Sequence, residues 1–104
     1  MESKPYKLRF LPLFEEDLTQ IVDYMAVQLG NPAAAERFVD AVQQAIRERT
    51  HCANAFEAYH SVREREHPYY RIYVKNYIVL YVLIGDVMEV RRILYNRRNI
   101  KAQI

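Results

Sequence analysis

Hydrophobic positions recur along this chain with two different periods, and the change of period divides it into parts. Residues 6–11, YKLRFL, alternate: Tyr6, Leu8 and Phe10 share one parity, which predicts a short first strand ending at Pro12. Phe14, Leu18, Ile21, Val22, Met25 and Leu29 then follow helical spacing. Glu15, Glu16 and Asp17 fall in the first turn, where they complement the helix dipole, and Gly30 supplies a stop. Asn31-Pro32 reads as an N-cap followed by proline at the first helical position. Ala33 to Arg49 is then a second helix, with Ala35, Phe38, Val42, Ala45 and Ile46 on its inner face. The short connection predicts an antiparallel helical hairpin. Thr50 to Pro68 shows no period and reads as a loop with at most a short strand.

From Tyr69 the period of two returns. Tyr69–Val74 places Tyr70, Ile72 and Val74 on one face and Tyr69, Arg71 and Tyr73 on the other. Lys75-Asn76 makes a turn, and Ile78–Ile84 is apolar on both faces, the mark of a central strand. Gly85-Asp86 turns the chain again and Val87–Tyr95 returns. The expected order is β-α-α-β-β-β. That is a two-layer α+β fold, with the helical hairpin packed on one face of a mainly antiparallel sheet.

The 104 residues suit one domain spanning 1–104, and 51% hydrophobic content with only two glycines and four prolines suits a packed core. No stretch approaches the roughly 18–20 apolar residues of a membrane span, and MESKPYKLRF lacks an apolar signal core. Cys52 is the single cysteine, so no intrachain disulfide forms and a reducing, cytoplasmic setting fits.

Charge changes the picture more. The net +2 conceals a split: residues 1–60 carry six Lys/Arg and nine Asp/Glu, a balance of −3. Residues 61–104 carry nine Lys/Arg and four acids, a balance of +5, and seven of those nine cations are arginine. Such a split points to nucleic acid or an acidic protein segment as partner. A solvated basic edge with no partner is the plain alternative. If the sheet face opposite the helices is open, Arg71, one of Arg91 and Arg92, and one of Arg97 and Arg98 line one concave surface. Tyr73, Tyr81 or Tyr95 would lie between them. Guanidinium groups take phosphates and rings stack on bases, as single-stranded nucleic acid requires. Arg91 and Arg92, being adjacent, point to opposite faces.

Other chemistry is sparse. His51, His60 and His67 are spaced nine and seven apart, unlike zinc ligand pairs, so neither a metal nor another cofactor is expected. His60 and His67 remain candidates for a general acid or base. Phosphate-cradling glycine loops, nucleophile elbows and HExxH are missing. The acids of the first helix read as a solvated helix start.

The stretches YRIYVKNYIVLYVL and VMEVRRILYNRRN, with the NPAAA entry to the second helix, resemble the RelE/ParE superfamily of toxins from type II toxin–antitoxin systems. The resemblance covers nearly the whole chain. It implies a small cytoplasmic protein neutralised by a cognate antitoxin, a small acidic protein that wraps an extended segment around it. It also implies one of two activities: ribosome-dependent cleavage of mRNA, or poisoning of DNA gyrase by binding. By that resemblance Arg71 matches the mid-sheet arginine that contacts substrate phosphate in the ribonuclease branch, and Arg97, with Arg98 beside it, the arginine after the last strand. Arg63 and Arg65 lie near the paired lysines of that branch, which makes them substrate-binding candidates with Tyr73, Arg91 and Arg92. Gln103 replaces the family's catalytic tyrosine and Asn99 an aspartate, so proton transfer would fall to His60, His67 or Tyr95. The leading expectation is a growth-inhibiting toxin acting on mRNA in the ribosome. The alternatives are a gyrase poison and a nontoxic basic module that binds an acidic peptide or RNA.

Overall fold

The chain enters its first helix through a proline that cannot continue a strand. Pro12 sits at the first helical position, and the amides of Phe14 and Glu15 donate to the Leu11 carbonyl. The computed structural model describes residues 4–56 and 67–96. Their elements are β1 (Lys7–Phe10), α1 (Pro12–Asp23), a π-helical turn (Tyr24–Gln28), α2 (Pro32–Arg49), β2 (Tyr70–Val74), β3 (Tyr77–Ile84) and β4 (Val87–Tyr95). This is the expected β-α-α-β-β-β order.

The π turn corrects one expectation. The Leu29 amide donates to the Tyr24 carbonyl five residues back, at 3.0 Å. Each such turn carries one residue more than an α turn and rotates the residues beyond it about the helix axis. Leu29, which helical spacing assigned to the inner face, is therefore 62% exposed at the hairpin tip. Gly30 closes the turn at φ +62°, a conformation that favours glycine. The next helix starts as expected, with the Asn31 side chain accepting from the Ala34 amide at 3.1 Å and Pro32 following it.

The sheet order is β1-β4-β3-β2, with β1 parallel to β4 and the other pairings antiparallel. Both hairpins close with two-residue turns, and the first turn residue, Lys75 or Gly85, takes positive φ. One row of the sheet runs Ile72, Val79, Ile93. It packs with Val74, Tyr81, Met88 and Val90 against Phe14 of α1 and Phe38, Val42 and Ile46 of α2. Five consecutive residues of β3, Ile78–Val82, are buried, as a central strand requires. They supply both faces: Ile78, Leu80 and Val82 join Tyr69 and Leu94 in a second apolar cluster. The face away from the main core is therefore not the open, arginine-lined surface that charge and period suggested. Leucine and valine hold its centre because burying aliphatic side chains there is more favourable than gathering cations on it.

Among the described residues no helix is long and apolar enough to cross a membrane.

Candidate functional site

The two adjacent arginines of β4 diverge, but a register shift contributes to it. Tyr81 pairs with Val90 and Leu80 with Arg92, so Arg91 is the extra residue of a bulge. Arg91 turns to Glu89, its Nε donating to Oε1 at 2.8 Å, and lies over the Tyr69 ring. Arg9 of β1 donates from Nε to the other oxygen of the same carboxylate, also at 2.8 Å. Glu89 is only 6% exposed. Burial alone would raise its carboxyl pKa, but the hydrogen bonds from Arg91 and Arg9 outweigh that and hold it below the usual range. Burial would likewise lower the Arg91 guanidinium, and hydrogen bonds with Glu89 and Tyr69 raise it instead.

Arg92 makes the stronger pair. Its Nε and Nη2 donate to the two oxygens of Asp17 at 2.7 and 3.0 Å, and the Ile93 amide donates to Asp17 Oδ2 at 3.2 Å. β1 leaves the sheet at Val90, where the Leu11 amide donates to its carbonyl, so Asp17 of α1 satisfies the next outward amide of β4. The hydrogen bond with Asp17 raises the Arg92 pKa. Asp17, which the sequence suggested was a solvated helix acid, is thus an internal counterion. Arg91 and Arg92, both expected to hold substrate, donate instead to carboxylates of the protein, Arg92 one-to-one with Asp17 and Arg91 sharing Glu89 with Arg9. β4 therefore needs no anionic partner to offset repulsion among its cations.

β2 is different. The Arg71 guanidinium lies 5.8 Å from the Tyr73 ring centroid, and Tyr73 is 57% exposed. The strand is fixed from below by Arg49, at the end of α2. Its Nη1 donates to the Arg71 carbonyl at 2.9 Å and to the Tyr81 hydroxyl at 3.1 Å, while its guanidinium stacks 3.6 Å from the Phe56 ring. Tyr81 in turn donates to the Ala53 carbonyl at 2.7 Å and stacks on Tyr70. Burial raises the Tyr81 pKa, with Arg49 opposing it in part. The sequence placed Tyr81 among the surface tyrosines; it is fully buried and structural.

Tyr95 lines a cleft of about 580 Å³ with Arg92, Asp17, Gln20, Tyr24 and Tyr77. Burial, with Tyr95 and Tyr24 nearby, raises the Tyr77 pKa, so that phenol stays protonated near neutrality. His67 is half-buried just before β2. His60, Arg63, Arg65, Arg97 and Arg98 lie outside the described residues. The structure thus pairs Arg71 with Tyr73 and brings Arg92 and Tyr95 to one cleft, while Arg91 goes elsewhere.

Against known proteins, the family model of the ParE toxin of type II toxin–antitoxin system, parDE, matches residues 8–100. The chain belongs to the ParE toxin family. The fold agrees. A solved structure of the chromosomal ParDE TA system from P. aeruginosa superposes with TM-score 0.72 at 18% identity, covering 91% of this chain and 100% of that one. A structure of the archaeal RelE-RelB complex from Pyrococcus horikoshii OT3 superposes with TM-score 0.52 at 13% identity, covering 91% and 99%. No curated protein matches. As a ParE-family member the protein is a toxin of a type II toxin–antitoxin system.

Sequence reasoning missed three residues that organise this ParE-family sheet: Glu89, Asp17 and Arg49. Glu89 left a readable signal, as the one acid within the otherwise apolar and basic strand VMEVRRILY. Asp17 and Arg49 left none, because their partners lie 75 and 32 positions away.

Proposed function

We propose that a cognate antitoxin holds this ParE-family toxin inactive, and that the released toxin arrests growth by poisoning DNA gyrase through binding rather than by cutting RNA. The observation that carries this reading is the internal neutralisation of Arg91 and Arg92 by Glu89 and Asp17. A ribonuclease needs fixed cations aimed at the charge developing on the scissile phosphate. Two of the expected phosphate ligands here spend that capacity on carboxylates. The family match supports the same branch, since its model is that of ParE toxins.

Ribosome-dependent mRNA cleavage is the second reading, favoured by the Arg71–Tyr73 pair, a cation beside an exposed ring. Induced expression separates the two. The gyrase reading expects growth arrest, an SOS-type response, intact cellular mRNA by primer extension, and accumulation of cleaved DNA when purified toxin is added to gyrase. Codon-positioned mRNA cuts that vanish in Arg71→Ala would overturn it in favour of the nuclease. Soluble protein without any growth effect would overturn both and leave a nontoxic binding module.

A further inference from the structure

We propose that the cleft between the end of α1 and the Tyr77–Tyr95 end of the β3–β4 ladder binds an unpaired nucleobase, whose faces stack on the tyrosines and whose edge meets the polar rim. Neither the gyrase nor the mRNA reading requires such a site, and both leave this cleft without a ligand. Its walls are three tyrosines from separate elements. Tyr77 and Tyr95 are partners across the β3–β4 ladder, and their rings meet edge to face with centroids 5.5 Å apart. Phe38 of α2 backs the Tyr77 ring at 5.0 Å, so packing holds that wall in place before a ligand arrives. Tyr24 closes the cleft from the helical side, where α1 gives way to the π turn. Such turns are frequent at functional sites. Tyr24 and Tyr95 are 44% and 47% exposed, which leaves ring surface open to a ligand.

Charge narrows the choice of ligand. Arg92 and Asp17 meet one-to-one in the cleft, so together they add no net charge. A cation there would face Arg92 and an anion would face Asp17, so neither is favoured. Burial, with Tyr95 and Tyr24 nearby, raises the Tyr77 pKa and keeps that phenol neutral and able to donate. Six of the nine lining residues carry polar side chains. A phenyl or aliphatic side chain of a protein partner would desolvate those groups without pairing them, which is unfavourable. A nucleobase has the complementary form, with flat faces that stack on aromatic rings and an edge of donors and acceptors. Gln20 is exposed at the rim and offers one of each. The pair with Asp17 uses Nε and Nη2 of Arg92, which leaves Nη1 outside it as a further donor. The volume of about 580 Å³ is that of a small-molecule site. The base can belong to a single strand or to a free nucleotide, and the same contacts serve both.

The probe is 2-aminopurine, a fluorescent base whose emission falls when it stacks, presented to the full-length toxin as the free riboside and within a short single-stranded oligonucleotide. Saturable quenching is expected. Equal affinity for the two forms identifies a free nucleotide as the source of the base, and tighter binding of the oligonucleotide identifies a strand. No quenching with either form overturns the proposal. Tyr24→Ala and Tyr95→Ala, on opposite walls, should each weaken binding about tenfold, the size of one lost stacking contact. Either variant serves alone if the other does not fold. Full binding in both overturns the site, and loss in Tyr73→Ala alone overturns it by moving the base to β2. Two measurements on the wild type need no variant. Riboside affinity should stay level as salt is raised, because the Arg92–Asp17 pair leaves no net charge to screen; a steep fall would place the probe on free cations elsewhere and overturn the assignment. Adenosine should displace the probe, and N-acetyltyrosinamide should not. Equal displacement by the two would overturn the nucleobase in favour of a partner's aromatic side chain.

Discussion

Two arginine-bearing regions of one sheet, the β1–β4 side and the β2 side, set the same side chain in different surroundings. On β1 and β4, Arg9, Arg91 and Arg92 reach carboxylates of the chain, two of them on Glu89 and one bidentate on Asp17. On β2, Arg71 lies beside the exposed ring of Tyr73, while its own carbonyl is held by Arg49. The first group ties strand to strand and strand to helix; on β2 a half-buried cation lies beside an exposed ring, on a strand that α2 holds still. A count of arginines cannot separate these roles. The position of the nearest acid can, since a partly buried cation is tolerated when it is paired.

The comparison breaks most severely at Glu89. Glu89→Gln should leave two guanidinium groups facing a neutral amide and cost about 3 kcal/mol, by analogy with losing one partner of a buried ion pair. Because the folded carboxyl pKa lies below its ordinary 4.5, the part of this stability that depends on ionisation is present above about pH 4.5 and is lost as the pH falls through the folded value. Denaturant titrations across pH should therefore show a flatter acid limb in the variant than in the wild type. An equally steep limb would mean that Glu89 does not carry it.

Asp17→Asn comes next, at about 2 kcal/mol, because it removes the charge that Arg92 chelates while an amide oxygen can still accept from Ile93. Thermal unfolding is the measurement, and in the same sample Arg92 should become sensitive to added phosphate or sulfate. Tyr81→Phe tests the support of β2. It deletes a buried hydroxyl that joins Arg49 to Ala53 and should cost about 1.5 kcal/mol by denaturant unfolding. Arg71→Ala should have the smallest effect on the fold, about 1 kcal/mol, as for an ordinary substitution at a half-buried position whose carbonyl, held by Arg49, is kept. Its growth arrest should fall if the toxin cuts mRNA and persist if it poisons gyrase. A large loss of stability would reverse the contrast between the two regions.

The elements themselves were readable locally. The Asn31 cap, the central β3 and both two-residue turns follow from residues within a few positions of one another. The failures have local causes too. A π turn moved Leu29 outward, and a bulge at Arg91 interrupted the strict alternation of β4. The largest difference concerns the sheet face expected to be open and basic. The apolar run of β3, with Ile78, Leu80 and Val82 on that face, already signalled burial on both sides, and it is this signal, not the count of arginines, that the structure follows.

The sequence by itself determined the order of elements, the apolar β3 and the concentration of arginine in the last third, because period and composition are local properties of a chain. Only the tertiary structure decided which arginines are satisfied from within. Asp17 meets Arg92 across 75 positions and Arg9 meets Glu89 across 80. Whether a guanidinium serves the fold or a partner depends on which carboxylate packing brings within hydrogen-bond reach, and linear spacing does not encode that distance.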